Sequence, residues 1–153
     1  MEIRIYCVGK LDKIWLNICT EYYTRIERFC PIRILEIPEP KGKFRNPLES
    51  LAISSTQLLE KTGGSVCILF DRLGKMQTSE EFSTLLMSEL QRSPAIVSLV
   101  IGASDGVSES LRSHARHLVS FSPLTFPHQL FRVMLLEQIY RAFAIERGLP
   151  YHK

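Results

Sequence analysis

Apolar and polar residues alternate along the chain in two distinct rhythms. Five short runs are apolar on both faces or rich in β-branched residues: Ile3–Val8, Ile32–Ile37, Val66–Phe70, Ala95–Ile101 and Leu118–Phe121. Runs of this length and character predict buried parallel strands, which carry apolar side chains on both sides. Between them, apolar positions recur every three or four residues. Trp15, Ile18, Tyr22, Ile26 and Phe29 make one such stripe, and Leu48, Leu51, Ala52, Ser55, Leu58 and Leu59 make another. Each predicts an amphipathic helix. A third helix begins at Thr78, where the T-x-x-E spacing to Glu81 predicts a capping box and Phe82, Leu85 and Leu86 face inward. A short fourth helix is expected near Ser108. This alternation predicts one α/β domain over residues 1–153, a parallel sheet flanked by helices.

The last helix breaks the pattern. From Pro127 to about Arg147, the residues Leu130, Phe131, Val133, Met134, Leu135, Leu136, Ile139, Tyr140, Ala142 and Phe143 surround the helix instead of forming one stripe. A helix of that kind is buried on more than one side. In so small a domain the second side is expected to be another copy of the chain, which predicts a homodimer. Gly148 and Pro150 end the helix and leave Tyr151, His152 and Lys153 as a short tail.

Composition narrows the class without identifying it. A chain of 153 residues, 45% hydrophobic and 23% charged, has the balance of an ordinary globular domain with its own core. No stretch approaches the roughly 20 apolar residues of a membrane span, and the start Met1-Glu2-Ile3-Arg4 reads as a strand, so a cytoplasmic protein is expected. Cys7, Cys19, Cys30 and Cys67 stand singly, without C-x-x-C spacing or nearby histidines. They predict buried thiols and no metal centre. The net charge of +3 decides little. Lys41, Lys43 and Arg45 in one Gly-containing loop, with His152 and Lys153 at the terminus, are candidate phosphate contacts; a solvated basic loop fits equally well.

Ligands of open α/β sheets bind beyond the carboxyl ends of the strands. Three loops there carry the chemistry: Phe70 through Lys75, Ile101 through Gly106, and Phe121 through His128. Gly102 and Gly106 permit close approach of backbone to a ligand, and the third loop offers backbone amides framed by apolar side chains. An adenine nucleoside suits such a slot, although tight turns alone carry the same glycines. The chain has no phosphate-cradling G-x-x-x-x-G-K-[ST], no G-x-G-x-x-G after the first strand, no H-E-x-x-H and no G-x-S-x-G elbow. Those mechanisms are therefore not expected.

Further segments join these loops. The first strand ends Val8-Gly9-Lys10, Asp71-Arg72-Leu73-Gly74-Lys75 precedes Ser79-Glu80-Glu81-Phe82, and Ile101-Gly102 leads to Asp105-Gly106. Leu124-Thr125-Phe126-Pro127-His128 is followed by Arg132, then by Glu137-Gln138-Ile139-Tyr140-Arg141-Ala142 and the terminal Pro150-Tyr151-His152. In this order and spacing, over essentially the whole chain, they resemble the small SPOUT-superfamily enzymes that methylate N3 of a pseudouridine in large-subunit (23S) ribosomal RNA. The resemblance implies a carboxyl-terminal trefoil knot, a rare topology, that forms a pocket for S-adenosylmethionine. It also implies a homodimer and a substrate within the ribosome or its large subunit. Phe70, Gly102, Phe121, Ser122, Pro123, Leu124, Thr125 and Phe126 match the cofactor-contacting positions. Ala103 departs from the family's usual glycine, and Ser104 from its proline or alanine; a positive φ at position 103 would strain an alanine.

Methyl transfer to N3 of pseudouridine needs alignment of the base and loss of the N3 proton. On side-chain chemistry His152 is the base candidate, Arg132, Arg141 and Lys153 are electrostatic or RNA-binding partners, and Tyr151 is a stacking platform. Glu137 and Arg141 also have the spacing of a plain helix pair, and Tyr151-His152 could simply tie down the terminus. Arg132 and Arg141 are nine positions apart, about 900° on an ideal helix, so they point to nearly opposite sides. If both serve one site, two subunits must share it. His114, His117 and His128 are assigned no catalytic role. A receiver-like regulatory domain is the rival from another class, with Asp71 after its third strand, but Val8-Gly9-Lys10 stands where an acidic pair belongs. Among enzymes, a knotted methyltransferase acting on transfer RNA or on a ribose oxygen is the alternative.

Overall fold

The computed structural model describes residues 1–42, 46–92 and 96–152. Lys43 and Arg45 of the basic loop, Ala95 at the expected start of the fourth strand, and Lys153 lie outside the described residues. In chain order the elements are β1 (Glu2–Val8), α1 (Lys13–Glu27), β2 (Ile32–Ile37), α2 (Pro47–Thr62), β3 (Val66–Met76), α3 (Ser79–Gln91), β4 (Ile96–Ile101), α4 (Glu109–His114), β5 (His117–Ser120) and α5 (His128–Glu146). Strand pairing is parallel throughout, in the order β2-β1-β4-β3-β5. A receiver-type sheet runs 2-1-3-4-5, so the exchange of β3 and β4 separates this topology from the regulatory rival.

Successive side chains of a strand face opposite ways, and the two faces of the sheet are both covered. Ile3, Ile5 and Cys7 of β1 pack with Ile26, Phe82, Leu86, Leu135 and Ile139 under α1, α3 and α5. Tyr6 and Val8 pack with Leu58, Leu69 and Leu111 under α2 and α4. Burial of each such aliphatic side chain contributes roughly 1.5–3 kcal/mol, which fixes strand register against a one-residue slip. Local signals set the helix starts. Asn46 accepts from the Leu48 amide ahead of Pro47. Thr78 and Glu81 form the expected capping box, and Ser108 caps α4 through the Leu111 amide.

Two features go beyond the sequence reading. The third strand continues past Phe70 to Met76, and both Phe70 and Lys75 pair with Val119 of β5. The register therefore shifts between Phe70 and Lys75, and residues 71–74 form an irregular crossing against β5. Gly74 sits at the crossing. A Cβ there would lie 2.6 Å from the backbone N and C of Val119, so no side chain fits. The second feature is α5, which packs between α1 and α3 as well as on the sheet. Two flanking helices of the same chain thus absorb part of the all-round apolar pattern that had pointed to a partner subunit. The remaining strip is half-buried Val133 and Met134, which line one cavity with the exposed Ile18 of α1.

Candidate functional site: a nucleoside pocket and a charged tail

Residues 70–72 of β3 and the loops beyond β4 and β5 converge on one cavity of about 350 Å³. Each cofactor position expected from the sequence lines it except Pro123: Phe70, Gly102, Phe121, Ser122, Leu124, Thr125 and Phe126. Phe70 and Phe121 meet edge to face at 5.3 Å, and Phe131 closes on Phe121 at 4.9 Å, giving the pocket a rigid apolar wall. The turn from β4 closes at Gly106, whose φ of 98° suits glycine and whose amide donates to the Ala103 carbonyl at 2.8 Å. Ala103 itself has no positive φ, so the expected strain at that position is absent. Gly102 does more than line the pocket. A Cβ there would come within 2.3 Å of Cγ1 of the buried Val107, so its smallness also serves the core.

The polar rim was only partly visible in the sequence. Asp71 Oδ2 accepts from Arg112 Nε at 2.9 Å and Oδ1 accepts from the Leu73 amide at 2.9 Å. This ties the loop after Phe70 to α4. Nothing in the spacing of residues 41 apart announces that pair; only the parallel fold brings the two loops together. His128 also faces the pocket, and burial pushes its pKa below the ordinary value, with Glu39 opposing and Arg132 reinforcing. A larger cavity of about 410 Å³ lies between α1, α5 and residues 77–79, and shares only Val119 and Phe121 with the first. It lacks the glycine-turn floor and the three strand-end loops, so size does not outweigh chemistry here.

The tail residues gather at a second place. Arg141 donates through Nε at 3.0 Å and Nη2 at 2.5 Å to Glu137 Oε1, which also accepts from the Tyr151 hydroxyl at 3.0 Å. His152 meets Arg141 Nη1 through Nδ1 at 3.2 Å and Glu80 Oε1 through Nε2 at 2.8 Å. The Glu80 backbone amide, the Thr78 side chain and His152 together hold the Glu80 carboxyl down at about 2. Burial, then Tyr22 and Glu137, push the Tyr151 phenol well above its usual value. Arg132 is elsewhere. It is 2% exposed, donates through Nη1 to Glu36 Oε1 at 2.6 Å and through Nη2 to the Gly9 carbonyl at 3.1 Å, and lines neither cavity. Arg132 and Arg141 thus leave α5 on different sides, as their spacing predicts, and only Arg141 joins the tail.

A family model described as "Predicted SPOUT methyltransferase" matches residues 1–152. The chain is 39% identical to the Ribosomal RNA large subunit methyltransferase H of Clostridium acetobutylicum and 41% identical to that of Clostridium botulinum, with all of each chain covered in both cases. The chain belongs to the SPOUT methyltransferase family. Among solved structures, a probable methyltransferase from Bordetella pertussis Tohama I superposes with a TM-score of 0.59 at 13% identity, covering 92% of this chain and 95% of that one. At that identity the likeness concerns the fold alone. A trefoil knot is consistent with that family, and the irregular β3–β5 pairing brings Gly74 into a contact no other residue could make. SPOUT membership also removes the receiver-like reading. Among the described residues no group of histidine, cysteine or carboxylate side chains is placed to hold a metal ion, and no helix is long and apolar enough to cross a membrane.

Proposed function

We propose that this SPOUT methyltransferase uses S-adenosylmethionine to methylate N3 of a pseudouridine in large-subunit ribosomal RNA, as a cytoplasmic homodimer acting on the ribosome or its large subunit. The observation that carries the reading is the convergence of residues 70–72 and the loops beyond β4 and β5 on one pocket of about 350 Å³ with aromatic walls and a glycine turn at its base. Volume and lining fit a nucleoside joined to an amino acid. Phe70, Phe121 and Phe126 would flank the adenine, backbone of residues 102–106 and 121–126 would take its polar edge, and the Ser104, Ser122 and Arg112 rim would meet the amino-acid end. When bound, the sulfonium supplies the electrophilic methyl group.

The chain's own contribution is then positioning and charge. Arg141, Tyr151 and His152 would form the substrate face: a guanidinium to stabilise the base as its N3 proton passes to solvent, and an aromatic ring to stack on it. Arg132 is a less direct contributor, because its guanidinium is buried as well as engaged with Glu36 and Gly9. The strip of Ile18, Val133 and Met134 supports the homodimer. The decisive experiment incubates ribosomes and free large subunits from cells lacking this protein with purified enzyme and S-adenosylmethionine, followed by nucleoside mass spectrometry. A methylated pseudouridine formed only with enzyme is expected. A methyl group on a ribose or on transfer RNA instead would overturn the substrate assignment.

A further inference from the structure

Arg141 of α5 and Tyr151 of the tail converge on one carboxylate, Glu137, which the sequence pattern marked only as half of a plain helix pair. Besides accepting from Arg141 and Tyr151 through Oε1, Glu137 accepts from Gln138 Nε2 through Oε2 at 2.7 Å. Gln138 Oε1 in turn accepts from Ser79 Oγ at 2.9 Å, at the first residue of α3. Both carboxylate oxygens are therefore tied, and the group has one orientation. An exposed Glu–Arg pair four residues apart contributes only about 0.3–0.5 kcal/mol and orders little. This pair differs: the two side chains are 19% and 25% exposed, the guanidinium is met along its Nε–Nη2 edge, and Tyr151 arrives from beyond the helix end.

We propose that Glu137 is a positioning residue for methyl transfer, holding Arg141 and Tyr151 in a single geometry from behind the substrate face. The inference rests on the functional reading above. With its Nε–Nη2 edge engaged, Arg141 keeps only Nη1 for groups on the far side, and its guanidinium stacks 4.9 Å from the centre of the Tyr151 ring. Tyr151 packs edge to face on Tyr140 at 4.8 Å. Its phenol, half-buried and bonded to Glu137 with Tyr22 nearby, stays protonated well beyond the usual range. It thus serves as a donor and a ring, and not as a base. Without the shared carboxylate, guanidinium and phenol lose their common partner, and the geometry they hold together is lost.

The test compares wild type with Glu137→Gln, Glu137→Asp and Gln138→Leu on ribosomes. Glu137→Gln should lower kcat by about 100-fold, the effect of a small misplacement, with KM for S-adenosylmethionine changed by less than about twofold. Glu137→Asp, which keeps the charge, should recover part of that loss, and Gln138→Leu should lose less. Tyrosinate absorbance of Glu137→Gln should rise at lower pH than in wild type. A folded Glu137→Gln enzyme with wild-type kcat would overturn the inference, as would a loss of activity that tracks a rise in KM for S-adenosylmethionine and that Glu137→Asp does not relieve. Should Glu137→Gln not fold, wild-type kcat in Gln138→Leu overturns it instead. Wild-type protein inactive on ribosomes would bring down the functional reading itself, a separate outcome from a normal variant of an active enzyme.

Discussion

Arg141 Nη1 stands 3.2 Å from His152 Nδ1. A guanidinium only donates, so Nδ1 must present its lone pair, and the imidazole proton sits on Nε2, directed at Glu80 Oε1. Both ring nitrogens of His152 thus have partners, Arg141 on one side and Glu80 on the other. Glu80 loses its charge only as the pH falls towards about 2; a carboxyl held below its ordinary value keeps its contribution above that value and surrenders it only on strong acidification. Mild acid does not release the ring from this side.

With both ring nitrogens engaged, His152 is expected to order the tail rather than take the N3 proton. His152→Gln is expected to lower kcat/KM on ribosomes while leaving the shape of its pH profile unchanged. Loss of the acidic limb in that variant would assign the base role to His152 after all.

Gly74 makes the sharpest stability prediction. The chain passes over β5 with 2.6 Å between a would-be Cβ and the Val119 backbone, atoms that cannot rotate away. Gly74→Ala should cost about 3 kcal/mol or more, visible as a large drop in Tm or failure to fold. A variant with the wild-type Tm would show that the crossing can relax.

Blocking the nucleoside pocket needs a residue that the core does not also use. Gly102 is unsuitable, because any side chain there meets Val107 at 2.3 Å, and Gly102→Val would damage the fold together with the pocket. Thr125 is exposed and lines the cavity. Thr125→Trp should leave Tm unchanged and weaken S-adenosylmethionine binding at least about tenfold, 1.4 kcal/mol, as read by calorimetry. Unchanged affinity would remove the third loop from the cofactor site.

What the sequence made legible divides along physical lines. Strand positions and helix caps rest on local chemistry, so Ile32–Ile37 and the Thr78–Glu81 box appear where period and spacing put them. The pocket was legible as three loops because a parallel sheet sends every strand end to one edge. The crossing at Gly74 was not, since its glycine answers to a backbone 45 residues away. Nor was the Asp71–Arg112 rim, nor the engagement of Arg132 by Glu36 and Gly9, because a helix pattern shows which way a side chain leaves and not what awaits it. The tail residues were suggested by family resemblance, while Glu137 had the spacing of a plain helix pair until Tyr151 folded back onto it.

The last prediction asks whose pocket the tail serves. Arg132 is a poor probe for this, because Arg132→Ala would strip Glu36 and the Gly9 carbonyl of their buried partner and destabilise the subunit. Thr125→Trp and Arg141→Ala are cleaner lesions, one in the pocket and one in the tail cluster. In a homodimer whose tails reach across the two-fold axis, mixing the two impaired proteins, assayed at S-adenosylmethionine low enough to silence Thr125→Trp, creates heterodimers in which one composite site carries both lesions and the other carries neither. Activity should then return towards half of the wild-type level per heterodimer. If each tail serves its own subunit, every site in the heterodimer keeps one lesion and none recovers. Heterodimers purified through two different affinity tags and assayed on ribosomes decide between the two. Confirmed heterodimers without activity would sink the shared site and leave Arg141, Tyr151 and His152 working beside the cofactor pocket of their own chain.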